Sequence, residues 1–241
     1  DIITILRDFE LLEPAMIDKD INIDIADYTI TYNNATESMF DVKKTLYMTN
    51  GNIVGAEADV FYGNNGSTDN NGTSEANLFL IGVNVNNIGR VVYSNSAAPG
   101  WNMVYVEGGE FNSANDVFVL DNAWNGNVTF TSVTATSTSE TVVEIGGYGN
   151  VIATITNCDL TSHNIAADND YACTIVASYG AQLTINGGNY ISNQNVVSVF
   201  NTPYNGGPMT KVTITNGYFE GVLNQIAGTS AAEQGEFAIS G

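Results

Sequence analysis

The sequence predicts an all-β fold: a right-handed single-stranded parallel β-helix of about eight coils, each 24–32 residues long. Three observations predict it. A short apolar–polar alternation returns along the chain, Asn or Gly stands at a fixed place in it, and a second apolar stretch follows most copies.

The alternation is clearest in Leu183-Thr184-Ile185-Asn186-Gly187-Gly188-Asn189-Tyr190 and Val212-Thr213-Ile214-Thr215-Asn216-Gly217-Tyr218-Phe219. Aligned on the small residue that follows the corner, the copies fall at Gly51, Val83, Gly109, Val133, Cys158, Gly188 and Gly217, at spacings of 32, 26, 24, 25, 30 and 29. Five residues before this anchor stand Leu46, Leu78, Val104, Val128, Ala153, Leu183 and Val212; three before it stand Met48, Leu80, Val106, Phe130, Ile155, Ile185 and Ile214. Two after it come Ile53, Val85, Phe111, Ala135, Leu160, Tyr190 and Phe219. A period of two makes each copy a strand with one buried face.

Asn50, Gly82, Gly108, Ser132, Asn157, Gly187 and Asn216 immediately precede the anchor. Asn and Gly enter the left-handed region at little cost, so the strand is expected to bend there. The second apolar stretches, such as Val117–Leu120, Val142–Ile145 and Val196–Phe200, supply further strands to each coil. The segments are rich in Val, Ile and Thr, which suits strands rather than helices.

The chain reads as one domain, 1–241: a lead-in and first coil over 1–44, then repeated coils over 45–241. Both ends read as cuts through a longer solenoid, whose open strand edges invite end-to-end stacking with further solenoid domains or copies.

Composition narrows the function. Twenty-six acidic residues face 6 basic ones, a net charge of −20. This argues against nucleic-acid partners, which require clustered Lys and Arg, and against anionic membrane surfaces. No apolar run is long enough for membrane insertion. Cys158 and Cys173 are not a disulfide framework; they read as small buried side chains, with one bridge as the alternative.

The repeats at 184–192 and 213–221, with the opening Ile3-Thr4-Ile5-Leu6-Arg7-Asp8 and Ile17-Asp18-Lys19-Asp20-Ile21-Asn22-Ile23-Asp24, resemble the pectate-lyase-like right-handed β-helix superfamily. More narrowly, they are similar to its adhesin-like members on microbial surfaces. The resemblance implies an extracellular, cell-surface or virion-surface location. It also implies a non-enzymatic module that presents a flank to a glycan or a surface protein, or acts as a structural solenoid. A polysaccharide lyase or glycoside hydrolase, and a phage tail or capsid fibre, are the alternatives, because this scaffold carries all of these.

For the enzyme alternative, the available bases are Arg7, Arg90, Lys19, Lys43, Lys44 and Lys211, and His163 is the only histidine. Paired carboxylates are the signature of glycoside cleavage, and Asp116 with Asp121, or Glu140 with Glu144, are the pairs that alternative would use; no catalytic residue is assigned, and Asp116 and Asp121 are counted among the ligand-binding candidates. For ligand binding, Tyr47, Phe79 and Tyr105 share one outward column on successive coils, while Trp101 and Trp124 lie at bends. Aromatic platforms of this kind suit sugar recognition. Outward Thr129, Thr154, Thr184 and Thr213 form a neutral column of their own. No cofactor is expected; calcium is the alternative, for which Asp168 and Asp170 offer hard oxygen ligands.

Proline at Ile155 or Ile185 removes a ladder donor from an interior strand, so either variant should melt roughly 5 °C or more below the parent by circular dichroism. An unchanged melting curve would refute the repeat alignment.

Overall fold

The computed structural model describes residues 2–63, 74–94, 100–120, 126–146, 151–165, 173–200, 208–226 and 236–240. Among these there is no helix, and every strand pairing is parallel. The chain is an all-β parallel β-helix whose coils carry three strands, stacked into three faces.

The first face contains Ile2–Thr4, Ile21–Asp24, the leading part of Thr45–Val54, the leading part of Asn77–Asn87, and Met103–Glu107. It continues through Asn127–Thr131, the leading parts of Ile152–Ser162, Gln182–Phe200 and Lys211–Ile226, and Glu236–Ile239. Each strand hydrogen-bonds to the equivalent strand one coil away. Phe9–Leu11 and Thr29–Tyr32 open the second face, and Ala15–Ile17, Phe40–Val42 and Phe61–Gly63 open the third. Ten first-face strands among the described residues exceed the expected eight coils. The difference lies at the two ends: Ile2–Ile17 already forms a complete three-strand coil, so the expected lead-in belongs to the solenoid, and Glu236–Ile239 stacks on Lys211–Ile226.

The aligned columns form the core. All fourteen residues five and three before the anchors are at most 4% exposed. Of the column two after the anchor, six are buried and Phe219 packs partly buried against Tyr190, their rings stacked 4.8 Å apart. Phe111, Phe118 and Phe130 come from three different faces and meet at 5.2 and 4.7 Å, tying the faces together at the coil's centre. Such tilted ring pairs add about 0.5–1.5 kcal/mol each beyond their area.

The corners adopt the expected conformation at Asn50, Gly82, Gly108, Asn157 and Gly187, with φ between 51° and 74°. Ser132 does the same at φ 54°, although serine enters this region reluctantly. Its amide donates to Thr156 O at 2.9 Å, as Gly108 N does to Thr131 O, so stacking between coils holds the bend against the local preference. Asn216 departs from the pattern. There Gly217 takes the positive φ, at 140°, and the pairing slips so that Asn186 lies opposite Asn216. Gly109 is required by close approach: a Cβ at its position would run into the Val83 carbonyl of the preceding coil.

A polar column, four residues past the anchor, lies inside the second corner. Ser113, Ser137 and Ser162 are at most 3% exposed. Their hydroxyls donate to Gly89 O, Asn115 O and Glu140 O at 2.7, 2.7 and 2.8 Å, respectively, on the preceding coil. The same oxygens accept backbone N–H groups from their own corners: Asn115 N to Ser113 at 2.9 Å and Glu140 N to Ser137 at 2.9 Å. One coil earlier Asn87 takes over, donating to Ala58 O and Arg90 O at 2.9 Å each. Each buried hydroxyl thereby links polar backbone groups of two adjacent corners.

Removing the Ser137 hydroxyl takes one hydrogen bond from the Asn115 carbonyl and another from the Glu140 amide. Ser137→Ala should therefore cost about 1–3 kcal/mol by chemical denaturation, while Thr134→Ala on the exposed surface should stay within about 0.5 kcal/mol. Equal effects would show that the serine column carries no special stability.

Candidate functional site

The first face carries the longest ordered surface feature. Strand pairing places Asn22, Tyr47, Phe79, Tyr105, Thr129, Thr154, Thr184 and Thr213 opposite one another in a single outward column. The three aromatic rings are half-buried and stack along the solenoid axis at 5.8 and 6.1 Å, tilted by 31° and 38°. Their inner faces cover one another, so edges and hydroxyls are what they offer to solvent. Tyr105 donates to Glu107 Oε2 at 2.6 Å, and that bond holds its phenol above the ordinary tyrosine range. The neighbouring outward column continues from Glu107 through Thr131 and Thr156 to Asn186. Aromatic rungs thus pass into neutral hydroxyl rungs without a break, on a chain that is acidic elsewhere.

Not every expected binding residue joins this face. Trp101 is not an exposed platform: it is 1% exposed, lies over Gly63, where a Cβ would strike its indole, and donates from Nε1 to Tyr93 O at 3.2 Å. Its bend position misled, because the indole folds inward to fill the space that a glycine leaves. Trp124, Asp121, Asp168 and Asp170 lie outside the described residues. Among the described residues no group of three or more His, Cys, Asp or Glu is arranged to hold a metal ion. Cys158 and Cys173 are both free and buried, and burial pushes the Cys173 thiol up to about 12.

The carboxylates are sorted differently from the expected Glu140–Glu144 pair; Asp121 of the other pair lies outside the described residues. Glu144 sits on the third face, in register with Val119 and Val176. Glu140 instead joins Asp116 at the second corner, in a cavity of about 270 Å³ lined also by Glu57, Asp59, Arg90 and Asn115. Arg90 forks onto Asp59 through Nε at 2.8 Å and a second nitrogen at 3.2 Å, and its guanidinium lies 3.3 Å from the centre of the Tyr93 ring. That geometry is both bidentate and cation–π. Burial raises Asp116 above the usual carboxylate range, against the opposing hydrogen bond from Thr141 N at 3.0 Å. Burial also raises Glu140, and the negative charge of Asp116 adds to the shift.

The Tyr62–Tyr93 pair, 5.9 Å apart on the third face, went unrecognised in the sequence, as did the Asp59–Arg90 fork. The signal was a separation of 31 residues in both pairs, which is one coil.

The fold and this surface define the chain as a parallel β-helix solenoid with one ladder-bearing face and one charged corner. No family profile, no curated protein and no solved structure matches it.

A carboxyl whose folded pKa is raised contributes stability below its unfolded pKa and loses that contribution as pH rises through the folded value. Charged Asp116 therefore opposes the fold at neutral pH. Asp116→Asn should melt above the parent at about pH 7, and the advantage should shrink toward zero by about pH 3, when both side chains are neutral. An advantage independent of pH would contradict the assignment.

Proposed function

We propose that this chain is a non-enzymatic, adhesin-like surface solenoid of the pectate-lyase-like type, displayed outside the cell or on a virion, and that its first face binds glycans or a surface protein. The uninterrupted column from Tyr47 through Tyr105 to Thr213 carries this reading. Ring edges and tyrosine hydroxyls offer apolar and polar contact together, and the threonine methyls and hydroxyls extend both along several coils. A rigid strand scaffold holds these groups in place before any ligand arrives, which limits the ordering cost of binding. No cofactor enters this reading.

One observation favours a second reading, a polysaccharide-cleaving enzyme. Asp116 and Glu140 share a cavity and both have raised pKa values, the pattern of an acid–base pair. It ranks second because Arg90, the base nearest to hand, is already committed to Asp59.

An immobilised-glycan screen with the parent, Tyr105→Ser and Thr154→Lys separates the two. The surface-module reading expects both variants to lose about tenfold or more in retention, equivalent to roughly 1.4 kcal/mol, while circular dichroism shows both still folded at the assay temperature. Release of reducing ends or unsaturated sugars from a polysaccharide panel, abolished by Asp116→Asn, would transfer the function to the corner cavity.

A further inference from the structure

On the second face a concave groove of about 620 Å³ crosses several coils, and we propose that it is a binding site for neutral oligosaccharides, separate from the first-face column. Its floor is built by strand pairing. Asn52 lies opposite Asn84, and Val54, Asn86 and Asn112 follow one another on successive coils.

The amides of this groove divide into two kinds. Asn84 donates to Asn52 Oδ1 at 3.1 Å and accepts from Glu110 N at 3.0 Å, so its side chain is spent on holding coils together. The Asn102–Asn77 contact at 2.8 Å on the first face is of the same structural kind. Asn86 is different. It is exposed in the groove, directly opposite Asn112, yet its side chain makes no hydrogen bond among the described residues. Asn112 turns its own Nδ2 to Glu110 Oε1 at 2.8 Å, which leaves its Oδ1 without a hydrogen bond among the described residues. Among the described residues this leaves a donor–acceptor amide, a carbonyl oxygen and the Nδ2 of Asn52 without partners around Val54, which is 38% exposed.

Charge and shape select the ligand. Glu110 is the only charged residue in the lining, and it is held by Asn112. The chain as a whole carries −20, which repels an acidic glycan. Paired donors and acceptors beside a small apolar patch match the vicinal hydroxyls and C–H faces of a neutral sugar. A protein partner would instead seek a large apolar or aromatic anchor, and this groove lacks one. The volume falls in the range of small-ligand sites.

Cellohexaose, mannohexaose and, as the acidic comparator, hexagalacturonate are the probes, followed by calorimetry and by backbone-amide NMR shifts on the whole chain. At least one neutral hexasaccharide should bind at about millimolar Kd or tighter and shift amides in 84–86 and 110–112. Asn86→Ala should weaken it about tenfold without moving the melting temperature, because that amide supports no other part of the fold. Three results would overturn the proposal: no shift with either neutral sugar, tighter binding of hexagalacturonate, or unchanged affinity in Asn86→Ala. Because Tyr105→Ser and Thr154→Lys leave this groove intact, its failure and that of the first-face reading are told apart by which set of variants responds.

Discussion

Every coil of this protein is bound to obey its neighbours through the parallel backbone hydrogen-bond ladder. Residue n of one coil stands opposite its equivalent in the next, and most of the described chain is paired in this way. A parallel ladder leaves no freedom for one coil to shift its side chains without flipping them to the other face. The register between coils, more than any single contact, therefore decides which residues are core, which are corner and which are surface. The slip at Asn216 shows the size of deviation tolerated: the positive φ moves by one residue to Gly217, and the strands beyond re-pair.

From that constraint come the repeated uses of each column. Inward positions become a continuous apolar spine, at most 4% exposed in the two first-face columns. One inward column is polar instead, and its buried serine hydroxyls tie the second corners of adjacent coils together. Those serines also fix the corner that bears Asp116 and Glu140, so a structural device sets the geometry of the most perturbed titratable groups. Outward positions turn into ladders. Some, such as Asn52–Asn84, are used up in stacking, whereas others, such as Asn86 and the first-face threonines, keep their polar groups available.

Much of this was legible beforehand. The three core columns, the corner positions and the aromatic and threonine rungs followed from alternation and spacing, because burial in a solenoid obeys a period that the sequence has to repeat. The serine column was legible too. Asn87, Ser113, Ser137, Ser162 and Ser192 stand at a fixed offset from the anchors, but a polar column was not expected to be internal. The bend at Ser132 was written in its place in the alignment rather than in its residue type. Trp101 was misplaced because position near a bend says nothing about which way an indole swings; the vacancy above Gly63 decided that.

By itself the sequence determined the solenoid, its approximate coil length and the side of the strand each column occupies, since these depend only on local alternation and on the distance between copies. Tertiary structure alone decided which carboxylates meet, that Arg90 forks onto Asp59, that both cysteines stay free, and that the Asn86 amide has no partner among the described residues. These are matters of side-chain direction at corners of unequal length, where coils of 24–32 residues place different loops side by side. A period fixes how often a residue returns, but only the packed corner fixes what it touches.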